Sequence, residues 1–156
     1  MIGESSPVIG GGVGTAAAGG PVRVAVGEGP FRILGEAVRL GDDVLAWVVG
    51  GTRAHVGAVA VAALRPSLAD PTELSYTPSL ITLPGHKEDA LALEGVGVLS
   101  RMTRHNVVLT VGIHIDSAGG GDIAALISNA RAVIKELADQ IVRRDRQGGT
   151  RHVSPH

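Results

Sequence analysis

Three short stretches of this sequence combine histidine with glycine or with charged residues, which are the residue types that bind anions, metals and cofactors. They are Val48-Val-Gly-Gly-Thr-Arg-Ala-His-Val-Gly57, Leu83-Pro-Gly-His-Lys-Glu-Asp89 and Val111-Gly-Ile-His-Ile-Asp116. Glycine allows a close approach to the backbone, and threonine, arginine and lysine donate hydrogen bonds to phosphate. The three stretches are therefore candidates for one binding site.

The same stretches also allow a metal interpretation. Three histidines and a carboxylate are a ligand set that suits zinc or iron, and the sequence offers His55, His86, His114 and Asp116. None of these residues has a local metal-site spacing such as H-E-x-x-H, so the interpretation depends on the fold. It predicts, as an alternative, a metal-dependent hydrolase or decarboxylase.

Composition and missing motifs exclude several other classes. The chain of 156 residues has 23 glycines, only three aromatic residues and no cysteine. The lack of cysteine excludes disulfides, Fe–S clusters and thiolate chemistry. A net charge of −1 with so few aromatics argues against a nucleic-acid partner. The stretch Gly12-Val-Gly-Thr-Ala-Ala17 resembles a dinucleotide fingerprint, but no strand precedes it and Gly19-Gly-Pro21 prevents a helix after it.

Alternating and helical patterns of apolar residues predict the elements that must position the histidines. We expect strands over 22–26, 31–40, 44–49, 55–64, 80–83 and 107–115, with a tight turn at 41–43 and a long proline-rich excursion over 65–79. The unbroken apolar run 44–49 predicts a strand that is buried on both faces. Helices are expected from near 86–88 and from 122 to about 147. The early strands are joined by short turns, so the fold class is α+β with a mostly antiparallel or mixed sheet and two main helices.

The ends of the chain are expected to lie outside this domain. Residues 1–20 form a glycine- and alanine-rich arm, residues 21–147 a single domain, and residues 148–156 a tail. The arm has no basic n-region and no leucine-rich segment, which disfavours a signal peptide, and its prolines and glycines disfavour a membrane helix. We expect a cytoplasmic protein with no membrane partner.

Taken in order, the three stretches resemble the small LpdD-like proteins, the partners of gallate decarboxylase that are described as prenylated-flavin chaperones. The resemblance covers about residues 31–143. It implies a non-catalytic homodimer, similar in fold to proteasome assembly chaperones. It also implies binding of reduced prenylated FMN and its delivery to UbiD-type decarboxylases.

The resemblance carries over to particular residues of this chain. The positions that match the family's motifs are Gly50, Gly51, Thr52, His55, Gly57, His86, Lys87, Gly112 and His114. Together with Arg53, which lies inside the first motif, they form our predicted cofactor site. We expect His55 and His114 to hydrogen-bond the flavin, and Gly51, Thr52, Arg53 and Lys87 to hold its phosphate. An assembly protein that docks a decarboxylase without cofactor, through an aliphatic surface or through 65–79, is a further alternative.

Overall fold

The computed structural model describes residues 19–85 and 88–149, and these residues contain six strands and two long helices. The strands are β1 (Val22–Val26), β2 (Ile33–Leu40), β3 (Asp43–Gly51), β4 (Ala58–Pro66), β5 (Leu74–Thr82) and β6 (Val107–His114), and the helices are α1 (Asp89–Thr103) and α2 (Gly120–Gly149). Most of the predicted arm, the residues His86 and Lys87, and residues 150–156 of the predicted tail lie outside the described residues.

The strands form one mixed sheet in the order β1-β2-β3-β6-β4-β5. Strands β3 and β6 are parallel, and every other neighbouring pair is antiparallel. The last strand in the sequence, β6, thus lies between β3 and β4, so the chain must cross β6 to pass from one to the other. The predicted α+β class, with a mixed sheet and two main helices, is confirmed.

Both helices cover the same face of the sheet, with α2 on β1 to β3 and α1 on β4 to β6. The strands supply small or branched side chains to this face, so the helices lie close to the sheet. Glycines mark close contacts in this layer: a Cβ at Gly35 of β2 would lie 2.3 Å from Val133 Cγ1, and one at Gly95 of α1 would lie 2.7 Å from Ile134 Cδ1. The core is therefore a single layer between one sheet face and two helices.

The opposite face of the sheet has no covering element among the described residues. Strand β3 shows the difference, because Val44, Ala46 and Val48 are buried while Leu45 and Trp47 are half-exposed. The prediction that this strand is buried on both faces was wrong, since no second layer from the described residues lies on the outer face. We call this surface the open face; its larger apolar members are Leu34, Val38, Leu45, Trp47, Val49, Val59, Val61, Ile81 and Val108.

The predicted excursion over 65–79 was also wrong. Strand β4 continues to Pro66 and β5 begins at Leu74, so the loop between them is only residues 67–73. The amide of Ser67 donates to Glu73 O at 2.8 Å and closes the loop. Pro78 lies in β5, which is an edge strand, where a proline need not interrupt a ladder on its outer side. The proline content therefore marked an edge strand rather than a loop.

No helix in the described part of the chain has both the length and the apolar character needed to cross a membrane.

Candidate functional site

The loop over residues 52–57 forms the centre of the candidate site because it crosses the end of β6. On one side the amide of Thr52 donates to His114 O at 2.7 Å, and on the other the amide of Gly57 donates to Val111 O at 2.9 Å. The Thr52 hydroxyl also donates to His114 O, at 3.3 Å. Residues 52–57, which we call the crossing loop, and the last residues of β6 are thus held together by backbone hydrogen bonds.

Glycines make this crossing sterically possible. A Cβ at Gly112 would lie 1.7 Å from the carbonyl oxygen of His55, and one at Gly51 would lie 1.9 Å from that of His114. Gly51 also has φ +78°, which disfavours other residues. A Cβ at Gly50 would lie 2.4 Å from Arg32 O. The space beside these three predicted site glycines is therefore filled by the protein's own backbone, which brings His55 and His114 together.

Three backbone amides at the two ends of the crossing loop are already used within the chain. Gly51 donates to Arg32 O at 3.3 Å, in addition to the bonds made by Thr52 and Gly57. An anion beside this loop would therefore be held by side chains rather than by those three amides. The exposed side chain of Arg53 is the cation that the loop itself provides.

Glu88 is the residue that the sequence analysis missed. Its carboxylate lies 3.0 Å from His55 Nε2, with only 16% of the His55 side chain and 11% of the Glu88 side chain exposed. The amide of Ile113 donates to the same oxygen, Oε1, at 3.3 Å. A Cβ at Gly57 would lie 2.7–2.8 Å from the three carboxyl atoms of Glu88. Gly57 thus leaves the space into which this carboxylate fits.

In the sequence, Glu88 is recognisable as an acidic residue at the start of a predicted helix, but such residues are common for another reason. An acidic residue at the start of a helix is favoured by the helix dipole alone. Glu88 immediately precedes α1, yet its side chain caps no amide of that helix. Its side chain instead points to the crossing loop. This contact could not be predicted without knowing the order of the strands in the sheet.

His114 forms the second half of the site. Its Nε2 lies 2.9 Å from Asp116 Oδ1, and its ring meets that of His55 edge-on, with centroids 6.2 Å apart and planes at 82°. The hydrogen bond from His114 lowers the pKa of the exposed Asp116 carboxyl, with further lowering from the charges of His114 and Arg53 and from a hydrogen bond with Thr52. Two imidazoles and two carboxylates therefore surround the end of β6.

An apolar groove of about 350 Å³ opens beside these groups. We call it the isoleucine groove. It lies between the first turns of α1, the end of β6 and the first half of α2, and it is lined by Gly85, Glu88, Ala90, Leu91, Ile113, His114, Ile115, Ala118, Ile123, Leu126 and Ile127. Its two ionisable lining residues, Glu88 and His114, belong to the cluster just described. The site thus combines an apolar slot with hydrogen-bonding groups at one end, as ligand pockets commonly do.

The structure brings eight of the ten predicted site residues to this edge of the sheet: Gly50, Gly51, Thr52, Arg53, His55, Gly57, Gly112 and His114. The other two, His86 and Lys87, are not described. Within 19–85 and 88–149, no three histidine, aspartate or glutamate side chains are arranged so that they could hold a metal ion. The four-residue metal set of the alternative hypothesis includes His86, and that part of it lies outside the described residues.

Comparison with known proteins gives a family and a structural likeness. Among solved structures, the chain is similar to a chain of a chaperone complex for yeast 20S proteasome assembly. The two are 14% identical with a TM-score of 0.49, and the match covers 78% of this chain and 94% of the other. No curated protein matches the chain. Residues 27–142, which include the five strands β2 to β6, match the model of the prenylated flavin chaperone LpdD-like domain. The chain therefore belongs to the LpdD-like family of prenylated flavin chaperones.

Proposed function

We propose that this protein binds reduced prenylated FMN in the cytoplasm, without turnover of its own, and delivers it to a UbiD-type decarboxylase. The observation that carries the proposal is the isoleucine groove, which meets the His55–Glu88 pair and His114 at one edge of the sheet. A prenylated flavin needs an apolar slot for its ring and prenyl group and polar groups for its heteroatoms and phosphate. The family match supports the same cofactor.

The apolar part of the ligand would lie against aliphatic rather than aromatic side chains. The groove is lined by Leu91, Leu126 and four isoleucines, and among the described residues no aromatic ring other than His114 belongs to it. Trp47, the one tryptophan, lies on the open face instead. Isoleucine and leucine side chains bind a flat or branched apolar group through the hydrophobic effect. The affinity here would therefore depend on how much apolar surface of the ligand is buried in the groove.

The polar part would be held by side chains at the mouth of the groove. His55 and His114 would hydrogen-bond the flavin, with Glu88 holding the His55 ring at Nε2 and the flavin replacing Arg53 O, which lies 3.4 Å from Nδ1. The side chains of Thr52 and Arg53, together with Lys87, would hold the phosphate, since the amides of Gly51, Thr52 and Gly57 are already hydrogen-bonded. The four glycines Gly50, Gly51, Gly57 and Gly112 would act by allowing the strands and the loop to approach closely.

Co-elution with the cofactor tests the proposal. Purified protein is mixed anaerobically with reduced prenylated FMN and passed through a desalting column, and flavin in the protein fraction is measured by absorbance. We expect near-stoichiometric retention, with clear losses in Arg53→Ala and Lys87→Ala that are larger at low salt. Arg101→Ala, which removes an equal charge from α1 where it contacts Tyr76, is the control. If no flavin co-elutes with the wild-type chain, the proposal fails.

We also propose that the protein is a homodimer that pairs through the open face. This surface is apolar at its centre, and its side chains are half-exposed or exposed, with Ile81 69% and Leu34 46% exposed. Its charged members lie toward the edges, where Arg23 is paired with Glu36 at 2.9 Å. A neutral apolar patch is complementary to a second copy of itself across a two-fold axis.

Light scattering coupled to gel filtration tests the dimer. We expect the wild-type chain to elute with twice its monomer mass, and Val61→Asp to elute as a folded monomer because it places charges in the buried interface. Leu68→Asp makes the same type of change in the 67–73 loop and should remain dimeric. A monomeric wild type, or a dimeric Val61→Asp, would contradict this interface.

A further inference from the structure

A second groove lies at the opposite edge of the sheet, where β3 and β6 begin. It has a volume of about 530 Å³ and a floor of apolar and small side chains from β1, β2, β3 and α2, including Val22, Ala37, Val44 and Ile141. Its rim carries Arg39, Arg104, His105, Arg144 and Asp145. We call it the arginine groove. It lies eight residues along β3 from the crossing loop, a distance of roughly 25 Å.

The rim is unbalanced in charge. Three arginines face a single aspartate, Asp145, whose Oδ2 lies 3.4 Å from Arg39 Nη1 and 2.9 Å from His105 Nε2. Arg144 donates to the backbone carbonyls of Gly20 and Pro21. Asp145 shows that the rim accommodates a carboxylate, and one carboxylate does not neutralise three guanidinium groups.

Arg104 is the residue that points to a ligand. It directly follows α1 with φ +61° and ψ +38°, a left-handed conformation at the position where helices usually have glycine. A side chain in this conformation costs stability, and such residues concentrate at functional sites. Within the described part of the chain, the guanidinium of Arg104 makes no hydrogen bond or ion pair. An arginine is thus placed at a position that favours glycine, with its charge exposed on the groove rim.

We propose that the arginine groove binds an organic carboxylate with an apolar body, such as an aromatic acid, and that Arg104 binds the carboxylate group. The planar guanidinium matches a carboxylate with two parallel hydrogen bonds. The floor of valine, alanine and isoleucine side chains takes the apolar body. This site is distinct from the isoleucine groove and does not depend on the proposed cofactor function.

Amide-resolved NMR titration of the full chain with benzoate is the test. We expect saturable shifts at residues around the arginine groove, including Gly41 and Arg104. Acetate lacks the apolar body and benzyl alcohol lacks the charge, so each should bind at least about tenfold more weakly. Phenyl phosphate and inorganic phosphate distinguish a carboxylate site from a phosphate site. Tighter binding of phenyl phosphate, or equal binding of inorganic phosphate, would overturn the carboxylate assignment.

Arg104→Gly separates a binding role from a structural one. Glycine suits the left-handed conformation, so the variant should fold with an unchanged or higher Tm. Its affinity for benzoate should fall about fivefold or more, because a charged hydrogen-bond donor is lost. Arg101→Ala removes the same charge three residues earlier and should leave benzoate binding unchanged. Undiminished benzoate binding in Arg104→Gly, or no benzoate binding by the wild type, would refute the proposal. Flavin retention should be unchanged in Arg104→Gly, so the two proposals fail independently.

Discussion

The two ends of the parallel pair β3 and β6 are built in opposite ways. At the end where both strands finish, glycines allow backbone to meet backbone, and the side chains of His55 and Glu88 are largely buried. At the end where both strands begin, long arginine side chains surround a groove, and the residue that follows α1, Arg104, has a left-handed conformation. The first end depends on close packing, and the second on flexible charged groups. Substitutions should therefore be tolerated very differently at the two ends.

The largest effect is expected for Gly112→Ala. Its Cβ would lie 1.7 Å from His55 O, and because that atom is backbone, the crossing loop has to move. We expect a loss of about 3 kcal/mol in the free energy of unfolding, measured by urea denaturation, together with loss of flavin retention. Gly120→Ala is the matched control, since nothing lies within 4 Å of that Cβ. Equal stabilities of the two variants would show that the crossing is not closely packed.

Glu88→Gln should have a moderate effect at the same end of the sheet. It keeps the shape of the side chain but removes the charge next to His55 Nε2. We expect a loss of about 1–2 kcal/mol in the free energy of unfolding, and weaker flavin retention because the His55 ring is less well fixed.

Asp89→Asn provides the comparison for Glu88→Gln, because it makes the same charge change one residue along. The Asp89 side chain accepts a hydrogen bond from the amide of Ala90 at 2.9 Å, in the first turn of α1. The substitution should cost a few tenths of 1 kcal/mol, as expected for a first-turn charge. If both variants retained flavin equally, Glu88 would have no positioning role.

At the opposite end, Asp145→Asn should cost only about 0.5 kcal/mol, since its contacts with Arg39 and His105 are partly exposed. Benzoate should bind more tightly to this variant because a competing negative charge has been removed from the arginine groove. Thermal unfolding and the NMR titration measure the two effects. A large loss of stability here would remove the contrast between the two ends.

The smallest effect concerns Asp116. Because the hydrogen bond from His114 lowers the pKa of this carboxyl below its usual value of 3.8, the pair stabilises the fold above that value, and the stabilisation is lost as the pH falls through the lowered pKa. A carbon-detected NMR titration should show Asp116 titrating below 3.8 in the wild type and nearer to 3.8 in His114→Ala. An unchanged midpoint in the variant would mean that His114 does not cause the shift.

The sequence predicted well those elements that depend only on residues close together in the chain. The hairpin of β2 and β3 followed from Gly41 and its acidic neighbours, and helix α2 followed from its apolar spacing. The eight described motif residues also lie at one edge of the sheet, as a single site requires. Helices, strands and tight turns can be predicted in this way because the spacing of apolar residues within each element, and the residues of the turn itself, determine its type.

Features that depend on sheet order were not predictable in this way. Alternation cannot show that β6 inserts between β3 and β4, so the pairing of Glu88 with His55 and the role of Gly57 stayed hidden. Pro78 marked an edge position, yet its sequence signal is the same as that of a loop. The left-handed conformation of Arg104 has no sequence signal either, because the residue type that favours it is glycine.

The position of β6 in the sheet also has a consequence for synthesis. The ribosome releases the chain from its amino end, so β1 to β5 and α1 emerge before the strand that must lie between β3 and β4. Until β6 arrives, two strand edges stay unpaired and the candidate site has no His114. Only a chain whose translation has passed residue 114 can assemble the candidate site, so this site is absent from the nascent protein until its sheet is complete.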